Sequence, residues 1–395
     1  APDCTRGGDG KYYLYFCFNF ENRICVARSD EPDGPFEIIG AVRHENGAIY
    51  GTAKGDFMCF DPAVYTDEQG ITYLYSGFAP RKLMALGLKL EGLKNAGGRG
   101  AQVMKLRPDM LTIDGEPAQC VPGCDNSAGT GFEGHEFYEA SSLRKIGERY
   151  YFVYSTINSH ELAYAMADTP AGPFKYGGVI ISNGDFGIGG EPDEAKAYWG
   201  NNHGSLVQLG GQWYIFYHRQ TNKTEQSRQG CAEPVEIGKD GKIAQVEVTS
   251  CGLNGGPLRG EGRYPAYIAC NLMSANGACK CAYGPMRRWT YFRHPCITQE
   301  GQQYIAGLRR YSLARYKYFD IDGLRAISVT VRGGNGFMEV YADEENEPFA
   351  VIPLQKRKSW TEFAAECSLD EGVRSLTFVY NGRGKCDMLS FTLIK

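Results

Sequence analysis

Four segments of this chain repeat one pattern, a glycine turn followed by alternating aromatic and aliphatic residues: DGKYYLYFCF at 9–18, QGITYLYSGF at 69–78, GERYYFVYST at 147–156 and GGQWYIFYHR at 210–219. Alternation of this kind is the period of a β-strand, and the recurrence makes these one strand type used four times. Two copies are followed by the same echo, an apolar strand, a GPF turn and another strand: ICVARSDEPDGPFEIIG at 24–40 and LAYAMADTPAGPFKYGG at 162–178. With Tyr13, Tyr73, Tyr151 and Tyr214 taken as equivalent, the spacings are 60, 78 and 63 residues. Each interval holds a four-stranded antiparallel sheet plus a long loop, which is the size of a propeller blade carrying insertions. A stacked sandwich also contains alternating strands, but it has no reason to repeat the strand-turn-strand tail at blade spacing.

Blade turns and blade strands account for 51 Gly against only 18 Pro, and for 26 Tyr, in 395 residues. The pattern stops after about residue 258. Beyond it AISVTVRG, GFMEVYAD, FAVIPL, SLTFVY and DMLSFTLIK read as strands separated by short polar turns, the signature of a β-sandwich. The expected architecture is therefore all-β, with a propeller domain over 1–258 and a sandwich over 259–395.

Composition removes several function classes. A hydrophobic share of 43% supports a packed core, and no stretch approaches the roughly 18 apolar residues of a membrane-spanning helix, so no membrane partner is expected. Lys plus Arg (42) against Asp plus Glu (46) gives a net charge of -4, which makes no electrostatic case for nucleic acid. The 14 cysteines are an even number, as a secreted disulfide framework would also give. Several lie inside apparent strands, in YFCF and YIACNL, where free thiols act as small hydrophobes. That favours a reducing, cytoplasmic setting, with secretion as the alternative. The Cys279/Cys281 and Cys120/Cys124 pairs lack a second pair at zinc spacing.

Three segments place acids beside the recurrent strands: APDC at the start, CFDPAVYTDEQG before the second copy and GHEFYEASSLRKIG before the third. Cleavage of a glycosidic bond needs two carboxylates on opposite sides of that bond, one protonated and one ionised. Acids at strand starts facing one pocket would supply such a pair.

Taken in order, APD with DGKYYLYF, FDPAVYTDEQGITYLYSGF, FYEASSLRKIGERYYFVYS, GNNHGSLVQLGGQWYIFYHRQ and SRQGCAEPV resemble the family 43 glycoside hydrolases over about residues 1–258. The resemblance implies a five-bladed propeller acting on arabinose- and xylose-containing polysaccharides, of which four blades are visible here. The C-terminal segment resembles, more weakly, a family 6 carbohydrate-binding module. By resemblance, Glu139 in FYEAS is the general acid, rather than Glu133 or Glu136 of the same loop, and Asp61 in FDP adjusts its pKa and orientation. A Glu that is protonated at neutral pH needs a raised pKa, which burial and a nearby like charge supply.

His203 in GNNHGS matches a histidine near the propeller axis that touches a calcium ion or a water network, so a structural calcium is the one ion implied. Arg228 in SRQG matches an arginine beside the carboxylates, where its planar fork binds a carboxylate or sugar hydroxyls. Phe132, Tyr138 and Trp199 are candidate pocket walls, with core packing as the other reading. In the C-terminal unit, Trp360 and either Tyr318 or Phe319 are the candidate sugar platforms.

One departure stands out. The family's general base is an Asp of the first blade, whereas APD resembles the start of the second, so the resemblance implies a further blade upstream of Ala1. Asp3 matches a structural Asp rather than that base. The expected function is an inverting glycosidase releasing terminal arabinofuranosyl or xylosyl residues. The alternative is a non-catalytic sugar-binding propeller.

Overall fold

The structure, a computed structural model, describes residues 1–18, 21–90, 95–188, 194–222, 224–280 and 294–395; Cys281 lies outside them. Four small antiparallel sheets follow one another along the chain. The first is β1 (Asp3–Arg6), β2 (Tyr12–Phe16), β3 (Cys25–Ser29) and β4 (Glu37–Ala41). The second is β5 (Ala63–Thr66), β6 (Thr72–Ser76), β7 (Gly100–Leu106) and β8 (Ile113–Pro122), with helix α1 (Lys82–Leu90) between β6 and β7. The third is β9 (Phe137–Ile146), β10 (Arg149–Thr156), β11 (Glu161–Ala167) and β12 (Lys175–Ser182), and the fourth is β13 (Ser205–Leu209), β14 (Gln212–Gln220) and β15 (Arg228–Val235). In each sheet neighbouring strands follow chain order, which is the meander of a propeller blade.

The recurrent aromatic segments become β2, β6, β10 and β14, the second strand of every blade. In β2 the alternation buries Tyr13 and Tyr15, and the equivalent Tyr73 and Tyr75 of β6 are buried too. A buried tyrosine must place its hydroxyl. Tyr15 donates to the Met110 carbonyl and Tyr75 to the Pro170 carbonyl, each in an outer turn of the following sheet, at 2.8 and 2.6 Å. The two GPF echoes form the β3–β4 and β11–β12 hairpins. Gly34 and Gly172 both sit at φ 89°, a conformation that glycine adopts without steric penalty.

By compactness the chain divides into two units. The first is Ala1–Ile180, Asn201–Ile215 and Val235–Gln245; the second is Ile181–Gly200, Phe216–Pro234 and Val246–Lys395. The division differs from the boundary near 258, and it passes within β14. A buried polar hub explains why 181–200 groups with the later residues. Asp185, 1% exposed, accepts from Val248 N–H (2.7 Å), from the Asn271 amide (3.0 Å) and from Lys317 Nζ (3.2 Å). Lys317 also pairs with Glu247 at 2.7 Å.

Within the second unit, ten strands form one bent sheet: β16 (Leu258–Arg259), β17 (Gly262–Pro265), β18 (Asn271–Met273), β19 (Cys296–Glu300), β20 (Gln302–Leu308), β21 (Ser312–Ile321), β22 (Leu324–Ala342), β23 (Ala350–Leu354), β24 (Arg357–Leu369) and β25 (Gly372–Ile394). AISVTVRG and GFMEVYAD are not two strands but one, β22, and SLTFVY and DMLSFTLIK likewise merge into β25. Gly333 and Gly334, at φ 72° and 56°, let β22 bend through an irregularity in register instead of turning back. The first half of β22 pairs with β24 and the second with β23, so the bend carries the strand around one apolar core.

Candidate active site

In the first unit the opening strands of successive sheets are neighbours, β1 beside β5, β5 beside β9 and β9 beside β13. Hydroxyl pairs join them, Thr5 with Thr66 and Ser142 with Ser205, both at 2.9 Å. Whatever precedes or begins these strands is thereby brought to one place. Asp61 lies two residues before β5, Glu139 is the third residue of β9, and His203 lies two residues before β13.

Glu139 is 7% exposed. Its position depends on a β-bulge: Val153 faces Ser142 while Ser155 faces Glu139, so two steps along β10 span three along β9. The extra residue lies beside Ala140, whose φ is 68°. Left-handed backbone at a non-glycine residue costs about 1–3 kcal/mol and persists only where surrounding contacts enforce it. Here the contact is Asp61, itself at φ 44° and 4% exposed, whose Oδ2 accepts the Ala140 N–H at 3.2 Å. His203 Nδ1 is 3.5 Å from Asp61 Oδ2.

One short segment before β13 fixes the remaining geometry. Asn201 Nδ2 is directed at Glu139 Oε1 (3.5 Å), Asn202 Nδ2 donates to the His160 carbonyl (3.1 Å), and His203 meets Asp61. In GNNHGS the sequence singles out His203 alone as a site residue. The two asparagines carried a usable signal, since paired amides in a glycine-flanked loop are suited to holding polar groups, but their targets are 42 and 62 residues away in the chain. Ala140 carried no signal, because alanine gives no hint of a left-handed backbone.

Asp3 has a structural position. Its Oδ2 accepts from Val64 N–H and its Oδ1 from Cys4 N–H, both at 3.0 Å. It thus joins β1 to β5 as Asp61 joins the β5 approach to β9. Burial, opposed by Arg144, raises the Asp3 pKa above the ordinary value.

The candidate walls separate. Phe132 is 2% exposed and packs against Tyr154 and Tyr176 in the core, so it presents no face to a ligand. Tyr138 is half-buried, contacts Phe78 at 5.1 Å between ring centroids, and places its hydroxyl 3.6 Å from Met84 Sδ of α1. Alternation along β9 points Tyr138 away from the side that Glu139 takes.

Trp199 and Arg228 belong to the second unit. There Trp199 packs edge-on against Phe186 at 5.2 Å with Lys280 over its ring, and Arg228, exposed at the start of β15, donates to the Glu225 carbonyl at 2.9 Å. Trp360, half-buried on β24, has the Arg332 guanidinium 4.5 Å from its ring centroid and Tyr304 edge-on at 5.2 Å. Phe319 is wholly buried, and Tyr318 donates its hydroxyl to Glu247 at 2.6 Å. Phe319 is therefore core and not a sugar platform.

The calcium expected at His203 meets a poor donor set. Calcium takes six to eight oxygen ligands. His203 offers nitrogen, its carboxylate neighbour is already used by Ala140 N–H, and no group of three or more His, Cys, Asp or Glu suited to a metal occurs among the described residues.

Comparison with known proteins agrees in extent with the repeat. The profile described as glycosyl hydrolases family 43 matches residues 1–243. A xylosidase/arabinosidase of Thermoclostridium stercorarium is 44% identical over 403 residues, covering 100% of this chain and 82% of that protein. A xylosidase/arabinosidase of Bacteroides ovatus is 34% identical over 53% of the chain and 61% of its own length. An arabinoxylan arabinofuranohydrolase of Paenibacillus polymyxa is 26% identical over 97% of the chain and 58% of its own length.

Proposed function

The chain belongs to glycosyl hydrolase family 43, and from that membership we propose that it releases terminal arabinofuranosyl or xylosyl residues from hemicellulose fragments by inversion, with Glu139 as the general acid. It is a glycosidase of the hemicellulose-degrading kind, as its xylosidase/arabinosidase relatives are named. The observation that carries the assignment of Glu139 is the convergence upon it: a bulge held by Asp61 turns it inward, and Asn201 donates to one of its oxygens. A carboxyl oxygen that accepts an N–H is a poor seat for a proton, so the acid proton is favoured on the other oxygen, from which it passes to the leaving glycosidic oxygen.

Asp61 acts through Glu139. It fixes the backbone at Ala140, and through that bond it is proposed to adjust the orientation and the pKa of the acid. Asp3, committed to two backbone N–H groups, is not positioned as the water-activating base. Arg228 and Trp199 are proposed to contact sugar, and Trp360 to offer its uncovered ring face in the C-terminal unit. A reducing, cytoplasmic setting is proposed from the cysteines buried within strands, Cys25, Cys120 and Cys386, which pack as small hydrophobes.

The test is hydrolysis of aryl α-L-arabinofuranoside and aryl β-D-xyloside, with the anomer of the first-formed sugar followed by NMR. Release of the inverted anomer is expected. Release of the retained anomer would overturn the mechanism, and sugar binding without turnover would favour the non-catalytic alternative.

A further inference from the structure

The bend of the long C-terminal strands gathers a stripe of cations, and we propose that this stripe docks a hemicellulose chain carrying uronic-acid carboxylates. The inference goes beyond hydrolysis, since it concerns the second unit alone. Only the choice of a polysaccharide as partner rests on the glycosidase reading.

Strand register brings the cations together. The turn 309–311 leaves β20 where Leu308 faces Cys386 and enters β21 where Ser312 faces Tyr380, so Arg309 and Arg310 lie beside Arg383 and Lys385 of β25. On the other side of β25 runs β22, in which Gly333 faces both Cys386 and Arg357 of β24. Lys356 and Lys358 flank Arg357 in the chain. Four neighbouring segments therefore carry seven cations, across three strand spacings or about 14 Å.

Charge is uncompensated along this stripe. Arg309 is half-buried and the other six side chains are exposed. None of the seven is in an ion pair among the described residues. Arg332 of the same bend, by contrast, is committed to Glu300 at 2.9 Å and Asp387 at 3.0 Å. Like charges so close repel one another, and an anionic partner relieves that repulsion.

Two details select a carboxylated sugar polymer. Four of the seven cations are arginines, whose planar fork takes a carboxylate bidentately. Exposed aromatic rings lie among them. Phe337, 47% exposed, faces Asn381 while Asn335 faces Arg383, so Phe337 and Arg383 share one face of the sheet. Tyr311, also 47% exposed, has the Arg310 guanidinium 4.8 Å from its ring centroid. Such a ring packs on the apolar C–H surface of a sugar while the neighbouring cation meets the carboxylate. A neutral polymer would leave the cations without partners. Nucleic acid also offers anions and flat rings, but a chain of net charge -4 lacks the long-range attraction that favours polyphosphate.

The test measures binding of the full chain to glucuronoxylan and to the same polymer with its carboxyl groups reduced to alcohols, by isothermal titration. The native polymer is expected to bind about tenfold more tightly, the worth of a few exposed ion pairs. That advantage should shrink as salt rises from about 20 to 200 mM. Arg310→Ser, Arg357→Ser and Arg383→Ser together should abolish it, with the melting temperature unchanged. The two-polymer and salt comparisons use the unaltered chain and so stand whatever the variant's stability. Equal affinity for the two polymers, a preference that survives high salt, or one that the folded triple variant retains would overturn the proposal. Tighter binding of single-stranded DNA than of glucuronoxylan would overturn the choice of polysaccharide. Hydrolysis of aryl pentosides is read in parallel. Its absence with the charge preference intact would sink the glycosidase reading alone, whereas normal hydrolysis with no charge preference would sink only the docking surface.

Discussion

The carboxylate of Asp61 accepts the backbone N–H of Ala140 across 3.2 Å, and through that single bond one blade's entry sets the backbone beside the next blade's Glu139. Both partners have positive φ, so each strained residue is held by the other.

Removing that bond separates structure from charge. Asp61→Asn keeps an acceptor for Ala140 but loses the charge, and is expected to lower kcat about 10- to 100-fold and to shift the acidic limb of the pH profile. Asp61→Ala also strands a buried N–H, worth about 1–3 kcal/mol of stability. Steady-state kinetics against pH, with thermal melting of both variants, checks the pair. An unaltered profile in Asp61→Asn would remove its role in setting the acid.

Glu139→Gln should cost about 10²–10⁴ in kcat, the usual worth of a general acid. The loss should be smaller for aryl glycosides with acidic leaving groups, which need less protonation, than for xylobiose. A uniform loss across leaving groups would argue that the side chain only positions substrate.

In the second unit, Asp185→Ala leaves Lys317, 4% exposed, with only Glu247 as an ion-pair partner among the described residues. Breaking a buried pair from one side costs about 3–5 kcal/mol. The denaturation midpoint in urea should fall sharply, and Asp185→Ala with Lys317→Met should lose less than the two single changes added together.

The His135–Glu161 pair, 2.9 Å apart and joined by Asn158, gives a pH signature. Its hydrogen bond to Glu161 raises the His135 pKa. Burial would raise Glu161, but bonds from His135, Thr156 and Asn158 outweigh it and hold the pKa below the ordinary value. A raised histidine stabilises the fold below its unfolded pKa, and that stabilisation is lost as pH rises through the folded value. A depressed carboxylate stabilises above its unfolded pKa and loses this as pH falls through its folded one. The pair should therefore contribute most between about pH 4.5 and 6.5, the ordinary Glu and His values. His135→Gln should flatten the decline in melting temperature above that window; an identical pH slope in the variant would count against the pair.

Much of the fold was legible because blade strands advertise themselves locally. The alternation in YYLYF, TYLYS and RYYFVYST is a property of neighbouring residues, and it located the second strand of every blade. The GPF echoes located two hairpins for the same reason. Glu139 and Asp61 were named by motif, and each lies near the start of a blade's first strand. Phe132 stayed open between pocket wall and core because an aromatic in a glycine-rich loop has the same local sequence whether it faces solvent or core; in the structure it is buried.

By itself the sequence determined the period, the strand type, the all-β class and the acids worth watching, since each of these is written within about ten consecutive residues. Only the tertiary structure decided that Asn201, Ala140 and Asp61 meet around Glu139, that two glycines bend β22 where a turn was expected, and that Asp185 ties 181–200 to the C-terminal strands. The first and the last depend on pairings between residues 60 or more apart, as from Asp61 to Ala140, from Asn201 to Glu139 and from Asp185 to Val248. Contacts of that range are set by the register of neighbouring blades and by the need to satisfy buried polar groups, and neither leaves a periodic trace in the chain.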